Sequence, residues 1–261
     1  MSKSRQPAIF LGHGSPMNAL EDNPYTRKWA QLGREFAQSD NKPKAILMIS
    51  AHWMSEGLKV TAMRLPKTIH DFGGFPPALF AMQYPAPGSP ALAQRVAQIL
   101  APLPVRLDQD WGLDHGTWSV LIKMFPDADI PVVQLSLDAN ENAAFHFELG
   151  QGLARLREEG VMLMASGNVV HNLRRLDPRV TSFDWAQRFN TGIREAIVAG
   201  EFGQVIDYPQ FGSDAQLAVP TSEHYLPLLC ILGAKHPDDK IRIESDEMVM
   251  GAISMMSVLL D

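Results

Sequence analysis

The chain has 261 residues, 46% of them hydrophobic, enough to bury a substantial core and to predict one domain over 1–261 rather than two. A formal charge of −6 excludes broad electrostatic attraction to nucleic acid or to an anionic membrane. Its one cysteine, Cys230, cannot close an internal disulfide and reads as a small buried hydrophobe within an apolar run.

The start, Met1 to Pro7, leads into an apolar run too short for a signal-peptide core, and no apolar stretch reaches the roughly 18 residues of a membrane span. The cytoplasm is the expected location. In chain order, residues 8–11 and 45–49 are short continuous apolar runs of the kind buried on both faces of a sheet, and both end near a histidine. Residues 64–90 carry Pro66, Gly73, Gly74, Pro76, Pro77, Pro85, Pro87 and Gly88, too many breakers for one long element, and predict a loop able to cover a site. Asn23-Pro24 and Ser89-Pro90 each offer an N-cap followed by proline at the first helical position. After the second, Leu92, Val96 and Leu100 form one apolar stripe.

Residues 132–137 and 161–165 read as further buried strands, with a helix over 143–159 between them. Trp185, Phe189, Ile193 and Ile197 repeat at helical spacing after Ser182. Residues 203–220 read as a second loop, leading into a helix that carries His224, and residues 248–260 read as a strand of unusual length. The alternation predicts an α/β domain with a mainly parallel or mixed central sheet flanked by helices. Ligands in such folds gather at the carboxyl ends of strands, where His13 and His52 fall.

Five of the eight histidines sit in short motifs dispersed over the chain: Gly12-His13-Gly14, Ala51-His52-Trp53, Asp114-His115-Gly116, Val170-His171-Asn172 and Glu223-His224-Tyr225. Imidazole is a common ligand of borderline transition metals, so the pattern suggests one metal site assembled by folding. Each histidine also has a plainer reading. His13 suits a turn, His52 a strand end, and His224 the first turn of a helix capped by Thr221 or Ser222. His171 follows a strand and a Gly-Asn turn, where a neutral imidazole can take a proton, or simply be held beside Asn168 or Asn172. His115 reads as an exposed loop donor, and His70, His146 and His236 as surface or helix-face residues.

The joint arrangement resembles the class III extradiol ring-cleaving dioxygenases, in particular the DOPA 4,5-dioxygenase branch. The likeness runs through residues 12–16, 50–53, the His70-Asp71-Phe72-Gly73-Gly74-Phe75-Pro76 loop, 114–118, 166–172 and 220–227, in order over nearly the whole chain. It implies that His13, His52 and His224 are metal ligands, with His171 the acid–base residue close to the metal and a possible fourth ligand. It implies that His115 orients substrate or a ligand. Glu223, directly before His224, leaves a carboxylate ligand open. Trp53, Phe72, Phe75 and Tyr225 are candidate walls for an aromatic ring.

The implied cofactor is Fe(II), whose open positions bring a catechol and O2 together. Zn(II) is expected to occupy the same site in purified protein, because it exceeds Fe(II) in the usual affinity order. The implied reaction inserts both atoms of O2 into a DOPA-like catechol and opens the ring to a muconic semialdehyde. A zinc hydrolase using the same histidines and a binding protein without turnover are the alternatives. The expected partners are small molecules, with neither nucleic acid nor membrane, and the oligomeric state is left open.

Overall fold

The structure, a computed structural model, describes residues 5–38 and 42–261, so the reading of the first four residues lies outside it. In chain order the elements are β1 (Ala8–Gly12), α1 (Pro24–Gln38), β2 (Ala45–Ser55), β3 (Leu58–Thr61), α2 (Pro77–Phe80), α3 (Pro90–Ile99), β4 (Val105–Asp108), α4 (His115–Met124) and β5 (Val132–Asp138). There follow α5 (Ala143–Leu153), β6 (Val161–Gly167), α6 (Asp184–Ala199), α7 (Phe202–Ile206), α8 (Ser213–Ala218), α9 (Leu226–Gly233), β7 (Ile241–Ser245), β8 (Met248–Val249), β9 (Ile253–Ser254) and β10 (Ser257–Leu260).

Eight strands form one sheet in the order β4-β3-β5-β2-β6-β1-β10-β7. Its centre, β5-β2-β6-β1, is parallel, while β10 and β7 add antiparallel on one side and β3 pairs antiparallel with β5 on the other. The sheet is therefore mixed. The apolar runs are continuous because both faces are covered. Along β1, Ala8 and Phe10 enter one core while Ile9 and Leu11 enter the other. In β2, Leu47 and Ile49 face the first core and Ile46 and Met48 the second. The first is closed by α3, α5, α6 and α9, the second by α1 and α4. A fully buried Leu, Ile, Val, Phe or Met contributes about 1.5–3 kcal/mol, so this double face is the main source of stability.

The expected caps form: Ser89 Oγ accepts the Leu92 N–H at 3.2 Å and Asn23 Oδ1 the Thr26 N–H at 3.0 Å. Cys230 is buried in α9. Four expectations are corrected. The strand at 45–49 continues to Ser55, irregularly, because its register to β5 shifts between Ile49 and Met54. The helix expected over 143–159 ends at Leu153 and passes into a 3-10 turn, Ala154–Arg157. Residues 203–220 are largely helical, since α7 and α8 bury Val205, Ala215 and Ala218 despite the intervening glycine and proline. Residues 248–260 form three short strands, because Met250 and Gly251, at φ +51° and +77°, fold β8 back on β9. Among the described residues no helix is long and apolar enough to cross a membrane.

Candidate metal centre

Strand register brings the first two histidines together. Gly12 and Gly167 are paired at the ends of parallel β1 and β6, and the next residue, His13, donates its N–H to Gly167 O at 3.1 Å. Ser50 and Ser166 are the last pair of β2 and β6, so His52 lies just past the paired stretch, its N–H turned to Ser50 Oγ at 3.2 Å. His171 follows the turn after β6 and is tied through its N–H to Ala218 O at 2.8 Å. His224 lies in the turn before α9 rather than in a helix, and its carbonyl accepts the Asn168 N–H at 2.8 Å. That bond is possible because residue 167 is glycine: a Cβ there would run into the His224 carbonyl.

His115 is not an exposed loop residue. It is 6% exposed and begins α4, with Asp114 as N-cap accepting the Thr117 N–H at 3.1 Å. The following Gly116 lets the helix start lie against the sheet, since a Cβ would meet Ser50 Oγ and sit 2.9 Å from both His52 Cδ2 and Ser166 Oγ. Gln134 Nε2 hydrogen-bonds the buried Asp114 carboxylate and so fixes the cap.

The five rings form one cluster. His13 Nε2 and His52 Nε2 are 3.1 Å apart. Ring centroids of His13, His52 and His224 lie 5.0, 5.4 and 4.9 Å from one another, His52 and His115 are 3.8 Å apart, and His171 stacks on His224 at 3.5 Å and 7°. At the level of single atoms two tight groups appear, His13 with His52 and His115, and His171 with Glu223 and His224, each within 4.8 Å. His224 links the two groups, stacking on His171 at 3.5 Å while its ring lies 4.9 Å from His52 and 5.4 Å from His13.

Burial favours the neutral form of His13, His52, His171 and His224. Burial lowers the pKa of His13 and His52 well below the ordinary histidine value, and the neighbouring imidazoles lower them further. Burial, with His224 beside it, lowers His171 to about 3, against an opposing pull from Glu223. His224 is lowered by burial although the Glu223 carboxylate favours its cation. Burial alone would raise Glu223, but hydrogen bonds from His224, its own backbone and Thr221 hold it at about 2.

This donor set fits a borderline cation. Neutral imidazoles present lone pairs, the state a metal requires. The 3.1 Å between the two Nε2 atoms suits either a single N–H···N bond or two nitrogens around one ion at bonds of about 2.0–2.1 Å. The buried His13 Nδ1 has no hydrogen-bond partner among the described residues. Glu223 Oε1 lies 3.2 Å from His224 Nδ1 and accepts the Thr221 hydroxyl at 2.8 Å, an arrangement that would leave His224 Nε2 available to a cation.

Among the candidate aromatic walls, Phe72 meets His115 edge-on at 5.5 Å and Phe75 packs on Phe72 at 5.4 Å. Trp53 is one residue past His52 on a strand, so it points the other way, and it stacks on Trp111 at 5.3 Å. Tyr225 is fully buried, donating its hydroxyl to Val205 O at 2.8 Å. Neither ring contacts a histidine of the cluster among the described residues. His70 caps the covering loop through Met82 O at 2.9 Å, His236 is half-buried beside Asp238, and His146 is wholly buried on α5 rather than at the surface. Asp71 was not anticipated. Its carboxylate accepts the His115 N–H at 2.9 Å and lies 3.0 Å from His115 Nδ1, a contact spanning 44 positions that only its place in the His70–Pro76 motif could have flagged. A surface groove of about 460 Å³ beside α6 is lined by Asp184, Gln187, Arg188, Thr191, Gly192 and Glu195 and holds none of these groups.

Residues 7–260 match the family described as the catalytic LigB subunit of aromatic ring-opening dioxygenase. A 4,5-DOPA dioxygenase extradiol of Escherichia coli K12 is 54% identical over 99% of this chain and 96% of its own length. The 4,5-DOPA dioxygenase extradiol of Beta vulgaris is 39% identical, covering 90% of this chain and 89% of that protein. A crystal structure of an uncharacterized Escherichia coli K12 protein superposes with a TM-score of 0.85 at 48% identity, covering 98% of this chain and 100% of that one.

Proposed function

Because the chain belongs to the family of the LigB catalytic subunit of aromatic ring-opening dioxygenases, we propose that it cleaves a DOPA-like catechol beside one hydroxyl, placing both atoms of O2 in a ring-opened muconic semialdehyde. The observation that carries this reading is the convergence of five histidines, four of them held neutral, at the carboxyl ends of β1, β2 and β6.

His13, His52 and His224 would hold Fe(II), and Zn(II) would compete for the same nitrogens. When bound, the iron supplies the electronic link between the catecholate and O2. The protein's share is binding, orientation and proton movement. Phe72 and Phe75 offer a ring face beside His115. His171, neutral at pH 7 and with no side-chain hydrogen bond among the described residues, is free to take a catechol proton at a ring nitrogen and return one as the ring opens. Glu223 holds His224 by Nδ1 and keeps its ring aimed.

The test is anaerobic loading with Fe(II), then oxygen uptake over substituted catechols including DOPA, alongside ester and amide substrates. Equimolar consumption of O2 and catechol with a visible semialdehyde is expected. Ester or amide hydrolysis by the zinc form, without oxygen uptake, would establish the hydrolase instead; metal content without any turnover would establish a binding protein.

A further inference from the structure

The covering loop delivers a carboxylate to the back of the histidine cluster. Asp71 Oδ1 accepts the backbone N–H of His115, the first residue of α4, at 2.9 Å. This satisfies one of the N–H groups a helix start leaves without a partner. Its Oδ2 lies 3.0 Å from His115 Nδ1 and 3.8 Å from His52 Nδ1. The same two rings are 3.8 Å apart, and His52 turns its Nε2 the other way, to within 3.1 Å of His13 Nε2.

We propose that Asp71 is a positioning residue that holds His115, and more weakly His52, as the Nδ1–H tautomer, leaving each Nε2 as the nitrogen that carries the lone pair. The reasoning rests on charge. A carboxylate oxygen can only accept, and a bare Nδ1 lone pair 3.0 Å from it would be repelled, so the proton belongs between them. The His115 Nδ1 is buried and makes no regular hydrogen bond, so at 3.0 Å attraction between the N–H dipole and the carboxylate does the placing. At His52 the longer distance gives a weaker bias of the same sign, one that frees Nε2 for a cation. At His115 it makes Nε2 an acceptor, ready to take a hydrogen bond from a substrate hydroxyl.

The arrangement also has a topological consequence. Asp71 lies on the loop that carries Phe72 and Phe75, whereas His115 lies on α4 and His52 on β2. One carboxylate therefore sets the tautomer of His115, biases that of His52 and registers the aromatic cover against them.

The catalytic part of this proposal rests on the ring-cleavage reading, whereas the tautomer does not, and the test separates them. Asp71→Asn keeps an oxygen for the His115 N–H but can turn an NH2 donor towards Nδ1. In zinc-loaded protein with 15N-labelled histidine, wild-type His115 should show Nδ1–H in two-bond proton–nitrogen spectra, and Asp71→Asn should move it to Nε2–H. In the iron-loaded enzyme, Asp71→Asn should retain metal and lower kcat roughly 10–100-fold, the range for removing a carboxylate behind a metal-site histidine, with Asp71→Glu recovering part of it. A wild-type His115 that carries its proton on Nε2 overturns the proposal whatever the variants do. So does an Asp71→Asn enzyme with unchanged tautomer and unchanged kcat. If wild type cleaves no catechol, the function reading fails while the spectra still decide the role of Asp71.

Discussion

At the scale of single residues, each imidazole of the cluster is distinguished by what holds its far side. His224 is backed by Glu223 and His115 by Asp71, while the buried Nδ1 of His13 has no hydrogen-bond partner among the described residues. Replacing His13, His52 or His224 with Ala should remove most bound metal, read by elemental analysis, with circular dichroism unchanged. Near-stoichiometric metal in all three variants would eliminate them as ligands. Glu223→Ala should weaken metal binding about 10–100-fold, as expected of a carboxylate acting behind a histidine, and less than His224→Ala does. The opposite order would make Glu223 the ligand. His171→Ala should retain its iron yet lose roughly 10²-fold or more in turnover, the scale for a positioned acid–base group. Loss of metal in that variant would move His171 into the coordination sphere.

At the scale of elements, the site depends on how closely α4 approaches β2 and β6. Gly116 permits that approach, and its carbonyl accepts the Ser166 hydroxyl at 2.7 Å. Gly116→Ala should therefore cost about 1–3 kcal/mol by overpacking and lower metal affinity as well, because the new methyl presses on His52. Denaturant midpoints and metal titration measure the two effects; a variant with wild-type values in both would show that α4 can shift freely. The covering loop acts differently. Its Phe72 contacts His115, Phe75, Phe80 and Trp118, so Phe72→Ala should raise KM for a catechol well above any change in metal affinity. Unchanged steady-state constants would take the loop out of the substrate site.

At the scale of the whole molecule, one buried ion pair ties both ends of the described chain to the turn after α5. Arg157, 1% exposed, donates to Gln6 O, Ala234 O and Leu260 O and pairs with Asp239 at 2.5 Å. Burial alone would raise the Asp239 carboxyl, but hydrogen bonds from Arg157 and the His236 backbone, with the charges of Arg157 and Arg5, hold it below the usual range. A depressed folded pKa contributes stability above the unfolded value, about 3.9, and that stability is lost as pH falls through the folded one. Asp239→Asn should cost about 3–5 kcal/mol near neutrality, the figure for breaking a buried pair. The gap between its melting curve and that of the wild type should start to close as pH falls below about 4 and vanish only below the folded pKa. A gap that stays constant into acid would show that the loss is not electrostatic.

What the sequence determined by itself was local in origin. Continuous apolar runs announced strands covered on two faces, Ser89-Pro90 announced a helix start, and motif histidines beside those strand ends announced a shared site, because each signal lies within a few neighbouring residues. The family resemblance was legible for the same reason. The tertiary structure decided what depends on register and packing. Pairing of Gly12 with Gly167 puts His13 opposite the segment leading to His171, and strand alternation turns Trp53 away from the side on which His52 joins the cluster. The helix that claims His115 buries a residue whose flanks read as a loop, and the fold of residues 64–90 brings Asp71 back to it. Such contacts are set by how two covered faces of a sheet close, a property of the assembled core that no short stretch of chain carries alone.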